Sequence, residues 1–189
     1  MRYLTVIILA TALTAAVNIL LSPITAQNIY SVCLSSLSAT ISVILIDGLG
    51  ALIIRRLLPE SLFEPRRKIF TVSKKEYQLY RKLKIKSWKD KIPELGGFTS
   101  FHKDKLASAS DPSYLERFLL ESNYGVIIHI QNAIFGFLIF FIPVCSSPSI
   151  WIPVFIVNFI LSLLPVAVLR HNSYTLLRLY NRALNNQEK

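Results

Sequence analysis

Only two cysteines, Cys33 and Cys145, three histidines and six glycines are spread over 189 residues. With so few and such scattered ligands, no metal-binding cluster can be assembled from local spacing, and no glycine-rich loop is present to cradle a phosphate. The chain also lacks a Ser nucleophile elbow and an HxxxxD acyltransferase motif. Acidic residues are scarce, 11 against 21 Lys and Arg, for a net charge of +10. Nucleic acid is the first partner such a surplus suggests, yet no zinc-finger spacing, RNA-binding aromatic motif or helix-turn-helix pattern accompanies it, and none is expected as a partner. Charge as a whole is low, at 17%, while 52% of the residues are hydrophobic and the mean hydropathy is +0.47. That leaves too few polar residues to clothe an ordinary soluble core.

The apolar residues collect into four stretches near the length a helix needs to cross about 30 Å of hydrocarbon at about 1.5 Å per residue. They run over residues 3–21, 29–54, 124–144 and 150–169. Backbone in lipid must satisfy its own hydrogen bonds, so each is read as a helix. The expected fold is an all-α integral membrane protein, a single membrane domain over 1–189 with about four transmembrane helices. The first stretch is expected to be retained as a helix rather than cleaved as a signal peptide. The two cysteines fall near the outer face and are read as unrelated buried thiols.

Sidedness follows from the cations. Between Arg55 and Asn123 there are 16 Lys and Arg against 9 Asp and Glu, whereas Ser22 to Asn28 and Cys145 to Ser149 carry no charge. The positive-inside rule then places residues 55–123 and both termini in the cytoplasm, in a multi-pass protein of the inner or plasma membrane.

The 55–123 loop is patterned. From Arg55 to Lys68 apolar and basic residues alternate, so Leu57, Leu58, Leu62 and Phe63 are expected to dip into the interface while the arginines meet lipid headgroups. Ser73 followed by Glu76 makes a capping box that opens a basic amphipathic helix, with Tyr77, Tyr80 and Leu83 on one stripe. Asp111 and Pro112 suit the N-cap and first position of a second helix, striped by Tyr114, Leu115, Phe118 and Leu119. No breaker precedes Gly125, so 112–141 is expected as one long helix that carries Glu121 and His129 into the bilayer.

Ionisable groups in hydrocarbon cost a few kcal/mol or more, which directs attention to His129 and Asp47. An imidazole at 129 can act as a general base toward a hydroxyl, or it can pack against a neighbouring helix through one hydrogen bond. Glu121 precedes it by eight residues, about 12 Å of rise, so the two cannot touch on a straight helix but can line one cleft at different depths. Asp47 is expected to pair with Arg55 or Arg56 or to reach the interface. In the segment 87–98, Trp88 suits the membrane interface, Lys89 and Lys91 can hold an anion, and Pro93, Gly96 and Gly97 shape a turn presenting Asp90 and Glu94.

Four segments, "LFEPRRKIF", "YRKLKIKSWKDKIPELGGF", "DPSYLERFLLES" with the later His129, and "LPVAVLRHN", occur in order between Leu58 and Asn172. In these the sequence resembles the glycosyl-4,4'-diaponeurosporenoate acyltransferase family, small membrane enzymes that finish staphyloxanthin-type carotenoids. The resemblance implies an acyltransferase acting on a lipid-like acceptor, with an acyl-CoA or acyl-carrier-protein thioester as donor and no further cofactor or metal. It implies catalytic roles for His129 and Glu121 and substrate-binding roles for Trp88, Lys89, Asp90, Glu94, Arg170 and Asn172. The chain departs from the family pattern at Val126, where an acid is usual, at Ile130 in place of a Trp, and at Leu169, His171 and Ser173. Membrane lipids are expected partners in any case. The alternative to catalysis is a membrane protein whose basic loop binds a partner or anionic lipid.

Overall fold

A computed structural model describes residues 2–21, 25–92, 108, 110–145 and 147–187. Among these there are helices and turns and no strand, as the apolar runs require. Six α-helices occur: α1 (Arg2–Leu21), α2 (Ala26–Leu57), α3 (Lys74–Lys82), α4 (Ile85–Trp88), α5 (Pro112–Phe135) and α6 (Pro148–Gln187). Short 3-10 turns cover Glu60–Phe63, Lys89–Lys91, Gly136–Phe141 and Pro143–Cys145. Four of the helical stretches, Leu4–Leu21, Ala26–Leu57, Pro112–Phe141 and Pro148–Gln187, are long and apolar enough to cross a membrane.

The chain forms two compact units, one of Met1–Leu52 with Ile130–Leu163 and the other of Ile53–His129 with Leu164–Lys189. In the first, a core of Ala39, Val43, Ile139, Cys145, Ile150 and Val154 joins α2, the turns after α5 and the start of α6. Water is absent as a driving force here, so close approach and internal hydrogen bonds hold helices together. Gly136 supplies such an approach: a Cβ there would stand 2.6 Å from Asn158 Nδ2, whose amide donates to the Asn132 carbonyl at 3.1 Å. Thr11 and Thr40 share a 2.8 Å hydroxyl bond, and Asn18 donates to the Ser149 carbonyl at 2.9 Å. The outer residues of α1 are left for lipid, Leu13 being 66% exposed. Both cysteines are free as expected, but only Cys145 is buried; Cys33 is exposed, contrary to the expectation of two buried thiols.

The second unit has an ordinary apolar core. Leu115, Phe118 and Leu119 of α5 pack on Leu176, Tyr180 and Ala183 of α6, and Ile54, Phe63, Phe70, Leu120 and Tyr124 make a neighbouring cluster. The α5 stripe is the one its sequence spacing requires. Asp111 caps it by accepting from the Ser113 N–H at 2.9 Å, and Pro112 occupies the first position, where no donor is needed. α6 outruns its expected end at 169 because nothing breaks it: Leu176, Tyr180 and Ala183 repeat at helical spacing and find the α5 stripe.

Two side-chain expectations change. Phe63 does not dip into lipid; its ring stacks on Tyr124 with centroids 3.8 Å apart, and Asn123 Nδ2 donates to its carbonyl at 2.8 Å. Leu83 leaves the packed stripe of α3 because the helix ends at Lys82, and it stands exposed beside Leu79.

Candidate functional site

Glu121 lies on α5 a turn and a half beyond Leu115, on the face turned toward the unit's core, and its side chain is only 4% exposed. A carboxylate at that depth requires partners. Arg55, in the last turn of α2, donates from Nη2 to Oε2 at 2.9 Å, and Arg117, one turn earlier on α5, reaches Oε1 from Nη2 at 2.9 Å. Both oxygens are therefore engaged by guanidinium groups. The Arg55 guanidinium also lies over the Tyr124 ring, 5.2 Å from its centroid. Arg117 extends the chain of charges to Glu60 at 4.0 Å. It borders a cleft of about 410 Å³ lined by Glu60, Ser61, Glu64, Ser113, Glu116 and Leu120, among others. Arg55, one of the two arginines that Asp47 is expected to meet if it does not reach the interface, pairs instead with Glu121, while the Asp47 carboxylate interacts with the Asn158 side chain in the other unit.

His129 follows eight residues later on the same helix, partly buried. A straight helix separates it from Glu121 by about 12 Å of rise.

Arg170 and Asn172 belong to a second constellation. Arg170 donates from Nε and Nη2 to the two oxygens of Glu76, at 2.5 and 2.9 Å, and from Nη1 to the Ile69 carbonyl at 2.9 Å. A bidentate pair of this kind fixes both direction and distance. Glu76 itself is placed by Ser73 in the expected capping box: the Ser73 hydroxyl accepts the Glu76 N–H at 3.1 Å and the Ser73 N–H turns back to the Glu76 carboxylate, which also takes the Arg170 pair. The Arg170 hydrogen bonds hold the Glu76 carboxyl below its ordinary value. Tyr80 donates to Glu76 at 2.7 Å, and burial, followed by that carboxylate, pushes its phenol up to about 12. Beside them Tyr77 stacks on Tyr174 and on His171, with centroids 4.1 and 5.3 Å away. Asn172 Oδ1 faces the His171 ring nitrogen at 3.3 Å.

The third group lies on α4 and the turn after it. Trp88 spends its indole N–H on the Leu83 carbonyl at 2.9 Å, Lys89 is half-buried and Asp90 is exposed. Glu94, with Pro93, Gly96 and Gly97, lies outside the described residues.

The residues singled out from sequence thus sit in three settings, each with its own neighbours. Sequence reasoning missed Arg55 and Arg117 as the clamp on Glu121, and Glu76 as the partner of Arg170. Arg117 is four residues before Glu121, a spacing that a helix turns into a contact, so that pair was available to inspection. The others join residues 66 and 94 positions apart. Among the described residues no group of three or more His, Cys, Asp or Glu converges to hold a metal ion.

Residues 59–182, about two-thirds of the chain, match the model of a family described as glycosyl-4,4'-diaponeurosporenoate acyltransferase. The match begins after α2 and takes in Glu121, His129, Arg170 and Asn172. No curated protein and no solved structure matches the chain.

Proposed function

Because the chain belongs to the glycosyl-4,4'-diaponeurosporenoate acyltransferase family, an acyltransferase family of carotenoid biosynthesis, we propose that it moves a fatty acyl group onto a hydroxyl of a glycosylated lipid or similar amphiphile at the cytoplasmic face. The extent of the family match carries this reading, since it takes in residues of all three settings described above, Arg55 excepted. His129 takes the proton of the acceptor hydroxyl as that oxygen attacks the carbonyl of an acyl thioester. The new ester C–O bond forms, the C–S bond breaks, and the departing thiolate receives the proton from His129. Direct transfer is preferred to an acyl-enzyme, because the sequence carries no Ser nucleophile elbow or other recognisable nucleophile motif.

Glu121, with both oxygens held by arginines, acts as a positioning residue: it fixes Arg55 and Arg117 and through them the mouth of the cleft beside α5. The donor is a coenzyme A or carrier-protein thioester, whose phosphates suit the unpaired lysines and arginines of residues 66–91.

Lipid profiling of a strain lacking this chain, paired with transfer by the purified protein in lipid, tests the reading. Loss of an acylated glycolipid in the strain, and its formation from glycolipid and acyl thioester in vitro, is the expected result. An unchanged lipid profile with no transfer would return the alternative, a non-catalytic membrane protein. Sidedness has its own check: a reporter fused after Lys91 should read cytoplasmic and one inserted near Ser147 external, and the reverse pattern would move the reaction to the other face.

A further inference from the structure

Residues 66–91 hold eleven Lys and Arg against two acids, Glu76 and Asp90. Glu76 is already matched by Arg170, so the local excess of positive charge is greater than the count suggests. Among the described residues none of the eleven joins an ion pair, and all except Lys89 are exposed. Apolar side chains are interleaved with them: Ile69 is 63% exposed, and Leu79 and Leu83 are each 53% exposed. The same stretch packs Phe70 and Ile85 completely, so these exposures are not the mark of a poorly folded segment. Lys84 adopts the left-handed conformation, at φ 52°, which turns the chain so that Ile85 enters the core while Lys84 and Lys86 face outward.

The height of this surface is set by α6. Its apolar run ends at Leu169; the next residue, Arg170, grips Glu76 of α3, and the following turn stacks His171 and Tyr174 on Tyr77. α3 is therefore tied to α6 at the end of that helix's apolar run.

We propose that the outer face of α3 and the Leu83 that ends it, carried by Lys74, Lys75, Leu79, Arg81, Lys82 and Leu83, docks on the anionic headgroups of the leaflet on its side of the bilayer. The cations meet phosphates, and Leu79 and Leu83 enter the boundary between headgroups and acyl chains. An acidic protein would satisfy the charge, but it would leave the apolar ends and the height of α3 without a role. The inference does not depend on the chemistry proposed above, for it concerns where the surface rests.

Leu79→Cys in Cys33→Ser protein, Cys145 being fully buried, gives a site for a fluorescent label. Quenching by acyl-brominated lipid is then measured in nanodiscs of phosphatidylcholine alone and of phosphatidylcholine with phosphatidylglycerol. Quenching should be strong only with phosphatidylglycerol, and it should fall as salt is raised. Each Lys or Arg neutralised should weaken docking roughly fivefold, so Lys74→Gln, Lys75→Gln, Arg81→Gln and Lys82→Gln combined should abolish it. If the combined variant unfolds, Lys75→Gln and Lys82→Gln singly read the same trend. Equal quenching in both nanodiscs would overturn the proposal. So would a label unquenched in both that becomes protected on adding acyl carrier protein, which would assign the face to an acidic protein partner.

Discussion

The two units solve the same problem, a polar atom out of water, with different groups. In the unit of α1 and the early part of α2, hydroxyls and carboxamides bond one another or backbone: Thr11 to Thr40, Asn18 to Ser149, Asn158 to Asn132. In the other unit Asn123 likewise donates to the Phe63 carbonyl, but full charges are added, with Glu121 between Arg55 and Arg117 and Glu76 on Arg170. Each choice fits its surroundings. A neutral bond within hydrocarbon avoids the penalty of stranding an ion. A charged pair near the interface keeps part of its solvation, since Arg55 and Arg117 retain 35% and 55% of their side-chain exposure. The contrast makes the charged unit, which holds the clamp and most of the family match, the place to test for binding and chemistry.

The strongest challenge to that division is His129→Gln, which keeps size and hydrogen bonding but cannot take a proton near neutral pH. Acyl transfer by the purified variant should fall by roughly 10²–10⁴-fold with little change in thermal stability. Undiminished transfer at matched stability would remove His129 from the mechanism and leave the charged unit without a base.

Stability should separate the units next. Glu121→Gln leaves two guanidinium groups without their carboxylate and should cost about 1.5–3 kcal/mol. Asn158→Leu, which deletes an amide bond within the membrane portion, should cost only about 0.6–1.7 kcal/mol. Both are read by thermal unfolding in one detergent, and equal losses would erase the contrast.

The smallest effect is the pH response of α3. The Glu76 carboxyl is lowered by Arg170, so the stability it adds is fully present above the unfolded carboxyl value of about 4.5 and is lost as pH falls through the lowered folded value. Wild type and Glu76→Gln should differ modestly in melting temperature at neutral pH and converge in acid. A gap that widened in acid would contradict the assigned sign.

Much of the fold was legible because hydrocarbon imposes a length and an apolar composition on the helices that can cross it. The four spans and the stripe of Leu115, Phe118 and Leu119 follow from spacing alone. The caps at Ser73 and Asp111 were legible because a cap is a contact between residues two or three apart. What joins distant segments was not. Nothing in a linear chain shows that Arg55 will choose Glu121 over Asp47, or that Arg170 will find Glu76. Both choices are made by helix packing that only the folded chain provides. Phe63 was misjudged for a related reason: an aromatic beside arginines looks interfacial until Tyr124 offers a ring to stack on.

The stack of Tyr77 on Tyr174 also makes the protein its own spectroscope. Six of the eight tyrosines, Tyr77, Tyr80, Tyr114, Tyr124, Tyr174 and Tyr180, belong to the unit that carries the clamp. Two phenol rings held 4.1 Å apart at 15° form a fixed chiral pair, and Phe63 on Tyr124 forms another. The tyrosine part of the near-ultraviolet dichroism, once separated from the bands of Trp88 and Trp151, therefore reports mainly on that unit, while far-ultraviolet dichroism averages over every helix. Release of α3 from α6 would dim the first without moving the second, giving an optical readout of one local joint in a protein whose membrane helices stay folded.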